Sequence, residues 1–126
     1  MIRAVWKGTV LAEAPRTRRV EGSHYFPPDS VERAHLIESP TRSLCPWKGM
    51  AHYYTVMVGE DINPDAAWCY PHPSPLARQI KNHVAFWNGV TVEGEPEGEP
   101  EGERHDLAHR VASWFGAQAA RCDGRP

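Results

Sequence analysis

The stretch Met50-Ala51-His52-Tyr53-Tyr54-Thr55-Val56-Met57-Val58 decides the fold class. It is rich in aromatic and β-branched residues, the types that pack on a pleated surface. Both of its alternation sets, Ala51-Tyr53-Thr55-Met57 and Met50-His52-Tyr54-Val56-Val58, are mostly apolar or aromatic. A strand of that kind is covered on both faces, so it belongs at the centre of a sheet.

Shorter extended segments flank it. Thr9-Val10-Leu11-Ala12 and Arg18-Arg19-Val20 enclose the turn signal Ala14-Pro15-Arg16 and predict a hairpin. Pro27-Pro28-Asp29 marks a turn, and residues 31–37 form a short element of open type. Leu44 leads into Cys45-Pro46, where proline ends ladder pairing. Asn63-Pro64-Asp65 predicts a turn before Ala66-Ala67-Trp68-Cys69-Tyr70. One or two helical turns fit residues 76–81. Val84-Ala85-Phe86-Trp87 and Val90-Thr91-Val92 are expected to pair around an Asn88-Gly89 turn. The chain is therefore mainly β over residues 1–92.

A compositional boundary follows. Residues 93–103 read Glu-Gly-Glu-Pro-Glu-Gly-Glu-Pro-Glu-Gly-Glu. Repelling carboxylates, glycine and proline predict a disordered acidic linker over 93–104. Despite its two-residue period it is not expected to be a strand, because nothing in it is apolar. Beyond it, Leu107, Val111, Trp114 and Phe115 recur at helical spacing after Asp106. This predicts a short C-terminal helix and tail over 105–126, too short to stand alone in water.

Composition narrows the function classes. The formal charge is −2. Residues 1–92 hold ten Lys/Arg against eight Asp/Glu, and residues 93–126 hold four against eight. Neither part carries the dense basic stripe of a nucleic-acid binder. No apolar run reaches the roughly 18–20 residues that a membrane helix needs, and the N-terminal residues are too mixed for a signal peptide. Three cysteines without regular spacing (Cys45, Cys69, Cys122) do not make a disulfide framework. They suit free thiols in a reducing compartment, so a soluble, cytoplasmic protein is expected.

The chemistry-bearing residues centre on Cys45-Pro46-Trp47-Lys48-Gly49. A thiol close to an ammonium is biased toward thiolate, and a histidine would complete a nucleophile–base pair. His24, His52 and His83 are the candidate bases. The competing reading of Cys45 is a small buried hydrophobe before a turn. Lys48 is expected at a wet, concave surface, since an ammonium is costly to bury without a partner. There it could hold a carboxylate or phosphate. Tyr25, Trp47, Tyr53, Trp68 and Trp87 are many large aromatics for a small domain. Such residues fill cores, and with a polar tip they also line ligand pockets. Asn63 and Asp65 are residue types that form turns more often than they contact ligands. Paired Cys-x-x-Cys spacing, a P-loop, Gly-x-Gly-x-x-Gly, Gly-x-Ser-x-Gly and His-Glu-x-x-His are all missing from the sequence. No metal or cofactor is expected.

Four segments together resemble the family catalogued as domain of unknown function 427. They are Val20-Glu21-Gly22-Ser23-His24-Tyr25-Phe26-Pro27, Cys45-Pro46-Trp47-Lys48-Gly49 with Tyr53, Asn63-Pro64-Asp65-Ala66-Ala67-Trp68, and residues 80–87 with His83-Val84-Ala85-Phe86. The likeness covers residues 3–92. It implies a β-tent-like domain in which curved antiparallel sheets enclose a cleft. The family is also labelled nucleotidyltransferase-like. Gly22-Ser23 fits that label, but no Asp-x-Asp follows to hold magnesium. Cys69 stands where the family pattern has an aromatic residue.

The resulting expectation is a small-molecule binding domain with a cleft for an anionic ligand. Whether it is an enzyme stays open. Cys45, Lys48 and His24 would do any chemistry. Tyr25, Trp47, Tyr53, Asn63, Asp65 and Trp68 would contact the ligand. The alternative is a non-catalytic protein-interaction module that recruits a partner through the C-terminal helix. A homodimer is compatible with either.

Overall fold

Two tight turns set the strand order at the N-terminus. Lys7-Gly8 and Glu21-Gly22 each place two consecutive residues at positive φ (52° and 73°, then 53° and 83°). That backbone closes a two-residue hairpin whose twist matches its strands. Lys7-Gly8 therefore joins β1 (Ile2–Trp6) to β2 (Thr9–Ala14), and Glu21-Gly22 joins β3 (Arg18–Val20) to β4 (Ser23–Tyr25). The hairpin expected between Thr9–Ala12 and residues 18–20 does not form. Each segment takes the neighbour across its own glycine turn, and Pro15 lies between the two sheets.

The main sheet has the order β5-β6-β7-β8, all antiparallel: β5 (Leu36–Cys45), β6 (Gly49–Val58), β7 (Asp61–Cys69) and β8 (Val84–Phe86). The Met50–Val58 segment is central, as its pattern dictates. Tyr53, Trp68 and Ala85 stand in one cross-strand row, and Tyr54, Ala67 and Phe86 in the next. The first row faces a core with Tyr25, Trp47 and Tyr70. The second faces a core with Leu11, Phe26 and Val56.

Three local expectations change. Residues 63–65 are not a turn but a bulge inside β7: Asp65 has φ 53°, and the β6–β7 register shifts between Tyr54 and Val56. The two extra residues of β7 are absorbed without ending the strand. β5 is a long edge strand that runs through Pro40, where the β5–β6 register shifts between Glu38 and Arg42 and a missing N–H is tolerated at the irregularity. Asn88-Gly89 does turn, at φ 56° and 94°. Its flanking strands part, however: β8 pairs with β7, while β9 (Thr91–Gly94) pairs with β1.

β9 also moves the boundary. Glu93 and Gly94, expected in a disordered linker, pair with Arg3 and Ile2. Pairing uses backbone groups, so polar side chains at an edge do not prevent it. Beyond β9 the Met1 ammonium donates to the Glu95 carbonyl (2.9 Å), and the Glu97 amide donates to the Pro15 carbonyl (2.8 Å). The structure, a computed structural model, describes residues 1–97. The rest of the linker and the expected C-terminal helix lie outside the described residues.

Short 3-10 turns at Pro28–Ser30, Arg33–His35 and Pro75–Ile80 fill the connections. A reciprocal pair of backbone hydrogen bonds between Phe26 and Val84 ties the β3–β4 hairpin to β8. That tie brings His24 and Tyr25 next to the end of the main sheet.

Candidate functional site

Glu21-Gly22 turns the β3–β4 hairpin over the main sheet, so β4 delivers His24 and Tyr25 to it. β7 delivers Trp68, and the chain just after β8 delivers Trp87 and Asn88. Between them lies a cavity of about 400 Å3, lined by Ser23, His24, Trp68, Trp87 and Asn88 among others. Its size falls within the roughly 300–1,000 Å3 of small-molecule sites.

The walls are fixed from behind. The Trp68 indole N–H donates to the Tyr25 hydroxyl (3.2 Å), and the rings meet edge to face. Trp87 meets Trp68 edge to face as well, and its indole N–H donates to the Asp65 carbonyl (2.6 Å). That carbonyl is available because the bulge turns the Asp65 backbone. The Asp65 carboxylate accepts from Thr41 Oγ1 (2.7 Å). Asn63 is buried in β7. Its Nδ2 donates to the Asn88 carbonyl (2.8 Å), and its Oδ1 accepts from Asn88 Nδ2 (3.1 Å). Asn63 and Asp65 thus support the cavity rather than line it.

His24 has Thr17 Oγ1 2.6 Å from its Nδ1. Burial, reinforced by the Arg19 guanidinium opposite it in the hairpin, pushes its pKa down to about 4. At neutral pH the ring is uncharged.

The Cys45–Gly49 segment sits elsewhere. Lys48 is not at a wet surface: its side chain is fully buried and its ammonium forms an ion pair with Glu21. The ammonium also lies 5.7 Å from the Trp47 ring centre and 5.4 Å from that of Tyr70. A lysine can be buried here because a carboxylate and two ring faces replace its water. Trp47 is buried, and its Nε1 finds no acceptor among the described residues. Tyr53 is buried with its hydroxyl 2.9 Å from Ser43 Oγ. Cys45 is buried, and Cys69 is the free cysteine among the described residues. Cys45 is not among the residues that line the cavity.

Of the residues singled out in the sequence, the cavity gathers His24 and Trp68, with Tyr25, Asn63 and Asp65 directly behind. Lys48, Trp47 and Tyr53 lie in the core on the same face of the sheet. Asn88 escaped sequence reasoning because Asn-Gly reads as turn chemistry. Trp87 was noticed only as an aromatic. Thr17 carried no signal.

A second cavity of about 300 Å3 lies along β5 and β6, with Glu38, Arg42, His52 and Tyr54 in its lining. Partial burial, with the repulsion of Arg42 and His72 added to it, lowers the His52 pKa. Among the described residues no three His, Cys, Asp or Glu side chains gather as a metal ligand set. Nor is any helix there long and apolar enough to cross a membrane.

No curated protein matches the chain. The family model described as "Domain of unknown function (DUF427)" matches residues 1–98, well over half of the sequence. The chain therefore belongs to the DUF427 family.

Proposed function

We propose that this domain is a small-molecule binding module whose site is the cavity between the β3–β4 hairpin and the end of the main sheet. The observation that carries the reading is the convergence of an uncharged His24, two tryptophans and Asn88 on about 400 Å3 of space. An indole in the lining, chiefly that of the partly buried Trp87, favours a planar ligand, and a few polar tips fix its orientation. The β-tent-like arrangement implied by the family resemblance agrees with separate antiparallel sheets leaning on one another. The lining holds no Lys, Arg, Asp or Glu side chain among the described residues, so the ligand placed here is neutral rather than anionic. For any chemistry in this cavity, His24 is the side chain best placed to take part.

A second reading is the non-catalytic interaction module. It draws on Leu44 and Met50, which face each other across β5 and β6 and are both exposed. An edge strand with apolar side chains is a surface that partners use.

Native mass spectrometry separates the two. The protein, equilibrated with a small-molecule extract of cells, should retain a discrete added mass. Ser23→Phe, which fills the cavity, should lose it. Retention by Ser23→Phe, or no added mass at all, would count against the cavity reading.

A further inference from the structure

Thr17 and His24 form a pair whose hydrogen can be placed. Thr17 Oγ1 and His24 Nδ1 are 2.6 Å apart. A neutral imidazole has one donor and one acceptor nitrogen, and a hydroxyl has one proton to give. If Nδ1–H donated to Thr17, the Thr17 proton would need an acceptor of its own. Thr17 is buried, and no acceptor for it other than His24 Nδ1 is found among the described residues. A buried hydroxyl proton without an acceptor keeps its full desolvation penalty. The opposite arrangement leaves nothing unsatisfied: Thr17 O–H donates to Nδ1, and the ring proton sits on Nε2.

We infer that Thr17 locks His24 in the Nε2–H tautomer, so that the cavity offers its ligand a hydrogen-bond donor and selects neutral planar molecules that bear a carbonyl oxygen or an equivalent acceptor. The ligand class rests on the cavity reading above; the tautomer does not. His24 in this state is a donor, not a general base, because the lone pair that would take a proton is occupied by Thr17. Thr17 is a positioning residue, since it acts on the ligand only through the ring. Asn88 lies on the same cavity but can offer either end of its amide, so selection for an acceptor falls to His24.

Two measurements test this separately. Nitrogen-15 NMR of the imidazole reports the tautomer without any ligand. His24 should show a bare, pyridine-like Nδ1 and a protonated Nε2. Thr17→Val, which keeps the shape and removes the hydroxyl, should leave a mixture of tautomers in a folded protein. A protonated Nδ1 in the wild type, or no change in Thr17→Val, overturns the lock. The second measurement titrates the wild type with acetophenone and with α-methylstyrene, which differ only in C=O against C=CH2. Acetophenone should bind about tenfold tighter, the worth of one hydrogen bond, and Thr17→Val should narrow that gap. Equal or tighter binding of the alkene overturns the acceptor preference. Binding of neither probe overturns the cavity reading and the ligand class with it, while the tautomer result stands on its own measurement.

Discussion

The Lys48 ammonium and the Glu21 carboxylate form an ion pair almost without water, with side chains 0% and 8% exposed. The pair joins two turns that are distant in sequence: the one following β5 and the Glu21-Gly22 turn that holds up β4. It thereby fixes the hairpin carrying His24 over the main sheet. Lysine at this position acts as a bolt between sheets, with the Trp47 and Tyr70 rings taking the place of solvent around its charge.

Removing the ammonium takes the Lys48 charge out of this buried pair. Lys48→Met is expected to destabilise the fold by about 3–5 kcal/mol, read by urea denaturation at neutral pH. Glu21→Leu combined with Lys48→Met should recover most of that loss, because an apolar pair has no desolvation penalty. A single-mutant effect within about 0.5 kcal/mol, typical of surface positions, would place Lys48 outside the scaffold.

His24 should make stability depend on pH in the acid range. Its folded pKa of about 4 lies below the ordinary imidazole value of 6.5. Between those values the unfolded chain binds a proton that the native state refuses, so unfolding becomes easier as pH falls. Stability contributed by neutral His24 is complete above about pH 6.5 and is lost as pH drops toward 4. Denaturation midpoints measured from pH 7 down to pH 4 should fall more steeply for the wild type than for His24→Asn. Parallel curves would contradict a buried neutral imidazole.

Asn63 holds the cavity rim from inside the sheet. Asn63→Ala removes a donor to the Asn88 carbonyl and an acceptor for Asn88 Nδ2. The expected loss is about 1–3 kcal/mol, the cost of unsatisfied buried polar groups. Acetophenone binding should weaken in parallel, because Asn88 loses its anchor. Unchanged stability and unchanged binding together would mean that the Asn63–Asn88 link is incidental.

Gly94 tests the C-terminal boundary of the domain. Its φ is 106°, and a Cβ there would collide with the Met1 carbonyl. Gly94→Ala should therefore destabilise the protein by about 1–3 kcal/mol, the range for backbone strain. A neutral effect in thermal melts would put β9 outside the cooperative unit, at the boundary first drawn after Val92.

These residues also show what a sequence can and cannot reveal. The β class and the central strand were legible because Met50–Val58 carries apolar residues in both phases. Pairing partners were not. Lys7-Gly8 and Glu21-Gly22 lack the Asn-Gly or Asp-Gly signature, while the more conspicuous Asn88-Gly89 joins strands that go to different sheets. The polar run Ser39-Pro40-Thr41-Arg42-Ser43 hid β5, since an edge strand needs no apolar pattern. Within the site, His24 and Trp68 were identifiable as residue types capable of ligand contact. Lys48 misled because its partner Glu21 lies 27 residues away, and only the fold reveals that the charge is paired. Asn63 and Asp65 were noticed for turn chemistry and turn out to brace the cavity from within a bulge.

The most direct test of the cavity as the binding site reads the tryptophan indole N–H signals of nitrogen-15-labelled protein during titration with acetophenone. Trp68 and Trp87 both line the cavity and both donate to partners behind it, so a ligand that enters must perturb these two signals. The cavity account predicts saturable shifts of the Trp68 and Trp87 signals, with the Trp47 signal unmoved, and the loss of those shifts in Ser23→Phe. Shifts centred on Trp47, or shifts of Trp68 and Trp87 that persist when Ser23→Phe fills the space, would contradict it.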